Sequence, residues 1–290
     1  MLCMMNKNKK YIVIFTIMFC VMFLVGFNFM NYNQKKSNYA KEILYLKEQN
    51  QKLEKQNSDY QNDEVKLYKE QSEKLKIPIL MYHWIEDGKG DELKVSKEKF
   101  KSEMEIVKQS GYTPISFNEL YDFIKGNKPF GIKPILITFD DGYEDNYVNA
   151  YPVLKEYGFK GTIFAITDLI NTCPYLSEKE IVELSNNNVD VESHAASHSK
   201  LSELSYEKQY NELKRSKEKL EGILHKKEYY LAYPFGKYNK DTISIAQKLG
   251  YRLAACTKEG FASKSDGSYE LKRIYISNNY SLEEFKKLIN

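Results

Sequence analysis

The chain has 290 residues, of which 42% are hydrophobic and 29% charged, with a formal net charge of +3. This length suits one large domain with an appendage, because single cores stop growing at about 250–300 residues. The small charge, the interspersed lysines and glutamates and the lack of a basic stripe exclude a nucleic-acid-binding protein. Four scattered cysteines without a CxxC pair exclude zinc ribbons and disulfide-rich scaffolds.

The chain begins with a short basic segment and an apolar run from Tyr11 to Phe27. With Phe29 and Met30 the run spans about 20 residues, or about 30 Å of helix, which matches a bilayer core. A cleaved signal peptide is the alternative, but its apolar region is shorter and ends at a small-x-small site that this segment lacks. We predict a cytoplasmic N-terminus over residues 1–10 and an uncleaved single-pass anchor in the cell membrane over 11–30. Lysines flank both sides, so the extracellular placement of the remainder rests on the shortness of the N-terminal side.

Residues 31–76 form a polar segment that is predicted to be a helical spacer. Some of its residues follow alternating spacings of three and four, if Glu64 fills one gap: Leu46, Asn50, Leu53, Asn57, Tyr60 and Leu67. Asparagines at core positions of such a seam could set the register of a parallel homodimer. A solvated single helix is the favoured interpretation, because the seam contains few apolar residues.

Residues 77–290 alternate between short apolar strands and helices, which predicts a parallel α/β domain. The predicted strands are 79–83, 112–117, 134–139, 161–166, 189–193, 229–233, 251–256 and 271–276. The predicted helices are 96–111, 146–157, 178–184, 206–224, 241–249 and 282–289. About seven such units favour a (β/α) barrel over an open sheet, with catalytic residues at the carboxyl ends of the strands. In this domain Cys173 and Cys256 could pair, although two free buried thiols are favoured.

Polar residues follow two of the predicted strands. Asp140 and Asp141 end the strand Pro134–Phe139, and adjacent carboxylates repel unless a cation neutralises them. His194 and His198 follow the strand Val189–Ser193, and imidazoles four residues apart can bind one metal ion. Alone, each pair could be a capped turn or two incidental surface residues. Together they predict a hydrolytic metal site with one aspartate and two histidines.

Three further residues follow predicted strands or helices. His83 ends the first strand of the domain, where an imidazole could protonate a leaving amine, or could be a satisfied core histidine. Phe235 lies in a Pro-Phe-Gly turn that could aim a backbone N–H at a developing oxyanion, or could be an ordinary turn. His225 lies beside two lysines and is predicted to be a solvated surface residue.

These motifs resemble those of the polysaccharide deacetylase family, carbohydrate esterase family 4, with its NodB-type domain. Thr138–Gly142 (TFDDG) is similar to the first family motif, and Ser193–His198 (SHAASH) to the second. Tyr233–Gly236 (YPFG) matches most of the third, and the resemblance covers residues 78–290. It implies a distorted (β/α) barrel and an enzyme that removes N-acetyl groups from an amino sugar polymer.

The resemblance also implies roles for individual residues. Asp141, His194 and His198 are expected to bind a divalent metal, with zinc favoured and cobalt or nickel as alternatives. Asp140 is expected to be the general base, and the backbone of Phe235 to help hold the oxyanion.

Two departures from the commonest pattern are similar to one branch, the poly-β-1,6-N-acetylglucosamine deacetylases. Ala232 stands where many members carry an arginine that orients the base, and no histidine after His225 can supply the usual late acid. In that branch the histidine of the first strand is the acid, which implies this role for His83. Two rivals stay open: a hydrolase of peptidoglycan or acetylated xylan, and a non-catalytic glycan-binding or scaffold protein with a decayed site.

Overall fold

The computed structural model describes residues 7–74, 76–88, 90–125, 133–227 and 229–290. Contacts between residues divide the chain into two units. The first unit ends at Val65 and the second begins at Lys66. Cys3 and the first six residues of the predicted cytoplasmic segment lie outside the described residues.

Helix α1 is a single unbroken helix from Lys7 to Lys74. Its N-terminal part is long and apolar enough to cross a membrane, and none of that apolar stretch is buried in the protein. Glycine and proline are absent between Asn31 and Lys74, so the polar part of the helix contains no residue that would break it.

The second unit contains a closed barrel of seven parallel strands, as the sequence predicted. β1 pairs with both β3 and β8, which closes the ring, and β2 is added outside the ring beside β3. The strands are β1 Ile79–Tyr82, β2 Tyr112–Pro114, β3 Lys133–Phe139, β4 Gly161–Ala165, β5 Val189–Ser193, β6 Tyr230–Ala232, β7 Leu253–Glu259 and β8 Leu271–Tyr275.

Helices surround the barrel. They are α2 Lys97–Gln109, α3 Phe117–Ile124, α4 Tyr151–Tyr157, α5 Glu178–Ser185, α6 Tyr206–Leu224, α7 Lys240–Lys248 and α8 Leu282–Leu288, with a π-helical turn at Asn146–Ala150 before α4. Successive strand residues face two different clusters, because strand side chains alternate. Leu80 of β1 joins the cluster that contains Phe100 of α2, whereas Ile79 joins the one that contains Leu271.

Two sequence predictions need correction. The strand predicted over 112–117 ends at Pro114, because Ser116 caps α3 in a reciprocal capping box with Glu119. That Ser-x-x-Glu signal is visible in the sequence and could have identified the helix. Cys173 and Cys256 are free, and Cys256 is buried as favoured, but Cys173 is exposed, so the prediction of two buried thiols is wrong for it.

A buried acid lies behind β1. Glu103 of α2 is fully buried and accepts a hydrogen bond of 2.7 Å from the Tyr82 hydroxyl, while its Oε1 has no partner. Burial raises the pKa of Glu103 from 4.5 to about 7, against the opposing effects of Tyr82 and Lys99. Between these two pH values the unfolded chain has released the proton and the folded chain has kept it. The free energy of unfolding therefore falls as pH rises, by about 3 kcal/mol for this group.

Replacing Glu103 with glutamine should remove this part of the pH dependence. Chemical denaturation at pH 5 and pH 8 is expected to show the variant more stable than the wild type at pH 8, with a smaller difference at pH 5. Glu105→Gln, at a half-buried position of the same helix where hydrogen bonds from Tyr157 and Gln109 lower the pKa, is the control and should keep the wild-type slope. An unchanged slope in Glu103→Gln would contradict the raised pKa.

Candidate active site

The polar residues singled out by the sequence come together at one end of the barrel. Asp140 and Asp141 follow β3, His194 and His198 follow β5, and Phe235 follows β6. Parallel strands place their carboxyl ends at the same edge, so these turns meet there. All five residues, together with His83 after β1, line one cleft of about 600 Å³.

The three turns contain backbone conformations that non-glycine residues seldom adopt. The φ angles are +74° at Asp141, +60° at Ala195, +59° at His198 and +56° at Phe235. Such conformations cost about 1–3 kcal/mol each and persist where the surrounding structure imposes them, which is common at functional sites. Four of the seven described non-glycine residues with positive φ therefore lie in the turns that carry the predicted site.

Two glycines permit these turns. Gly142 has a φ of +79°, and a Cβ there would lie 3.0 Å from the Ala165 backbone. Gly236 has a φ of +61°, and a Cβ there would lie 1.9 Å from Oγ1 of Thr257. Both the conformation and the close packing therefore require glycine.

Asp141, His194 and His198 offer three ligand atoms that all lie within 4.8 Å of one another. Asp141 Oδ1 lies 3.5 Å from Nε2 of His194 and 3.2 Å from Nε2 of His198. That carboxylate oxygen is buried and has no hydrogen-bond partner. A buried oxygen without a donor, facing two ring nitrogens, is the arrangement that a divalent cation satisfies.

The hydrogen bond of the other His194 nitrogen fixes its tautomer. Nδ1 lies 2.8 Å from the carbonyl oxygen of Ala232, which can only accept, so Nδ1 carries the proton. Nε2 then presents its lone pair toward Asp141, as metal-binding histidines do. Burial, followed by the neighbouring His194, lowers the pKa of His198, which favours the neutral ring that a metal needs. Ala232 therefore contributes its backbone to this site.

Asp140 is almost fully buried and forms a bidentate ion pair with Arg273. Nη1 and Nη2 of Arg273 each donate to one carboxylate oxygen at 2.7 Å. Burial by itself would raise the pKa of Asp140, but Arg273 holds it well below its usual range. The carboxylate is thus ionised and fixed in orientation, with a further lone pair on each oxygen to accept a proton.

Arg273 is a site residue that the sequence interpretation missed. It lies on β8, is fully buried, and donates from Nε to the Cys256 carbonyl at 3.0 Å. Ala232 has no side chain that could orient Asp140, and Arg273 from a different strand forms the ion pair with Asp140 instead. The sequence contained a signal for this residue, because an arginine inside a predicted apolar strand needs a buried partner.

His83 lies in the same cleft, with Nδ1 buried and without a hydrogen-bond partner. Its backbone is fixed by Asn146, whose Nδ2 donates to the His83 carbonyl at 2.9 Å. Burial lowers the pKa of His83, against the effects of Asp140 and Asp141. An imidazole whose Nδ1 lacks a partner is not the satisfied core histidine that the sequence left open. His225, in contrast, is exposed at the end of α6, as predicted.

Phe235 projects its ring into the cleft, where it is 51% exposed and its centroid lies 4.3 Å from that of His198. The turn is closed by N–H groups of Gly236 and Lys237, which donate to Tyr233 and Pro234. The N–H of Phe235 takes no part in these two bonds. The position is thus compatible with the predicted oxyanion donor.

Comparisons with known proteins agree with this geometry. The family model described as polysaccharide deacetylase matches residues 127–254. The Bacillus subtilis polysaccharide deacetylase candidate YxkH is 38% identical over 210 residues, covering 72% of this chain and 75% of that protein. The structure of Streptococcus pyogenes deacetylase PplD in complex with acetate is 34% identical with a TM-score of 0.71, covering 74% of this chain and 99% of that one.

A Staphylococcus epidermidis poly-β-1,6-N-acetyl-D-glucosamine N-deacetylase is also similar, with 29% identity over 199 residues. The match covers 64% of this chain and 68% of that protein. Identity and coverage with YxkH place the chain in a family of hydrolases. The chain belongs to the polysaccharide deacetylase family and is a polysaccharide N-deacetylase.

Proposed function

We propose that this protein removes N-acetyl groups from an N-acetylglucosamine polymer at the cell surface and releases acetate. Poly-β-1,6-N-acetylglucosamine is the favoured polymer, because a relative named as a deacetylase of this polymer is similar over 199 residues. Peptidoglycan is the next candidate. The observation that carries the proposal is the convergence of Asp141, His194 and His198 within 4.8 Å, in the cleft that also contains Asp140.

The ligand set is Asp141, His194 and His198, and its oxygen and nitrogen donors suit zinc, with cobalt or nickel as alternatives. When bound, a divalent cation supplies Lewis-acid activation of water and of the acetamide carbonyl.

The remaining residues move protons and stabilise charge. Asp140, held ionised by Arg273, accepts the proton of the attacking water as a new carbon–oxygen bond forms. The N–H of Phe235 donates to the oxygen on which negative charge develops. His83, in its protonated form, donates a proton to the amide nitrogen as the carbon–nitrogen bond breaks, which yields acetate and a free sugar amine.

We infer that the N-terminal helix anchors this activity at the membrane. Residues 11–30 would be the single-pass anchor, residues 31–76 the spacer, and residues 77–290 the catalytic domain on the extracellular side. The support is the apolar stretch of α1, which is long enough to cross a membrane.

Replacing either metal-binding histidine with alanine should release the cation. His194→Ala and His198→Ala are each expected to lower zinc affinity at least 100-fold and to lose acetate release in proportion, because two ligands seldom hold zinc tightly. Zinc content after dialysis, measured by elemental mass spectrometry, checks this. His225→Ala, at an exposed histidine, is the matched control, and variants of 194 and 198 that retain one zinc per chain would contradict the ligand set.

Replacing His83 with alanine should affect amides and esters differently. An amine leaves only when protonated, whereas a phenolate leaves without help, so His83→Ala should slow N-deacetylation about 100-fold or more and spare an aryl acetate. Rates on both substrates with the zinc-loaded chain provide the measurement. An equal loss on both substrates would show that His83 is not the acid.

The polymer is identified by mass spectrometry of defined oligosaccharides incubated with the zinc-loaded chain. Loss of one acetyl mass from β-1,6-linked N-acetylglucosamine oligomers, but not from peptidoglycan fragments or acetylated xylan, is the expected result. Acetyl loss from peptidoglycan alone would select the first rival. Binding without acetyl loss on every polymer and with zinc, cobalt or nickel would select the non-catalytic rival.

A further inference from the structure

One face of α1 beyond the apolar run carries tyrosine or leucine at every seventh residue. These positions, named here the d positions, are Tyr32, Tyr39, Leu46, Leu53, Tyr60 and Leu67. Because the helix is unbroken throughout, they form one stripe along it. All six side chains are exposed, Leu53 by 60% and Tyr60 by 75%. A strict seven-residue repeat is the pattern with which helices supercoil around a partner.

The a positions, four residues after each d position, indicate the kind of partner. Between Tyr32 and Leu67 they are Lys36, Ile43, Asn50, Asn57 and Glu64. Leucine at d with asparagine at a favours two parallel strands, because an asparagine pairs best with the same residue of an identical helix in register. The polar a residues weaken the association and in return fix its alignment.

Charges beside the stripe complement a second copy of the chain. Glu42 occupies a g position and Lys47 the e position that follows. Residues five apart are not neighbours on one helix, but in a parallel pair the g residue of one strand faces the next e residue of the other. The other such pairs bring no like charges together: Lys35 with Ala40, Gln49 with Glu54, and Gln56 with Gln61.

We propose that α1 pairs with α1 of a second copy as a parallel two-stranded coiled coil through these a and d positions. The partner is identical in sequence, and a shared anchoring membrane imposes the parallel orientation. Two catalytic units would then be carried on one stalk. The pairing does not depend on which polymer the enzyme hydrolyses, and it replaces the interpretation of residues 31–76 as a solvated single helix.

Site-specific cross-linking in the full-length chain tests the seam. Cys3, Cys20 and Cys173 are first replaced with serine, which leaves only the buried Cys256. Leu53→Cys, at a d position, is then compared with Lys55→Cys, two residues away on the outer face. Mild oxidation of detergent-solubilised protein should give at least tenfold more disulfide-linked dimer for Leu53→Cys. Equal cross-linking at both positions, none at either, or products only with another protein would overturn the proposal.

A charge exchange tests the partner and the orientation without a new cysteine. Glu42→Lys and Lys47→Glu should each raise the dimer dissociation constant several-fold, measured by sedimentation in detergent, because each brings like charges together. The double variant should return it to within about twofold of the wild type. A double variant as weak as the single variants, or a wild-type chain that is monomeric at every concentration, would overturn the proposal.

Discussion

Replacing Asp140 with asparagine is expected to lower turnover by about 10³-fold while the chain keeps its bound cation. Asparagine has nearly the same shape but cannot accept the proton of the attacking water. The three predicted ligand atoms, on Asp141, His194 and His198, are left in place. Acetate release from a β-1,6-linked N-acetylglucosamine oligomer and zinc content of the same preparation measure the two effects separately.

The control for this variant must address stability, because Asp140→Asn leaves the fully buried Arg273 without its counter-charge. An unpaired buried charge costs about 3–5 kcal/mol, so part of a lost activity could reflect unfolding. The double variant Asp140→Asn with Arg273→Met removes both charges and should recover much of this stability but no activity. Near wild-type turnover in a folded, zinc-loaded Asp140→Asn chain would refute the assignment of the base.

Replacing Arg273 with methionine is expected to shift the pH dependence of turnover. In the wild type, Arg273 holds the pKa of Asp140 well below its usual range, so this group is ionised throughout the neutral range. Without the guanidinium, burial dominates and the pKa of Asp140 rises. A base must be ionised to accept a proton, so activity is lost as pH falls through the raised pKa. The ratio of kcat at pH 8 to kcat at pH 6 should increase about tenfold over the wild type.

Two further variants test whether Arg273 acts by positioning Asp140. Arg215→Met, which removes an exposed ion pair with Asp168, should keep the wild-type pH profile. Arg273→Lys keeps the positive charge but loses the bidentate hydrogen bonding, so it should keep the wild-type pH profile while lowering kcat. A uniform loss at every pH in Arg273→Met, without a shift, would mean that the arginine supports only the fold.

The predicted metal-binding residues could be found from the sequence because they follow predicted strands. An apolar run precedes Asp140, and the alternating Val189 and Val191 precede His194. Parallel strands bring their carboxyl ends together. The alternation of strands and helices favoured a barrel, but it predicted eight strands, and only the structure shows that β2 lies outside the ring. The family resemblance then supplied a role for each residue, and the structure brings those residues into one cleft.

Other features depend on contacts between distant residues and could not be read from local patterns. Arg273 lies 133 residues from Asp140, and only the closure of the barrel through β8 and β1 brings them together. The sequence showed only that position 232 lacks the arginine, whereas the structure shows an ion pair between Arg273 and Asp140. The burial of a single side chain also depends on residues that are distant in the sequence. This explains why Cys173 was wrongly predicted to be buried.

The central claim is that one divalent cation, bound by Asp141, His194 and His198, is required for acetate release. Titrating zinc into chelator-treated, full-length protein while following acetate release tests it most directly. Activity should be absent without metal and should rise to a plateau at one zinc per chain. Full activity in metal-free protein, confirmed by elemental mass spectrometry, would contradict the claim.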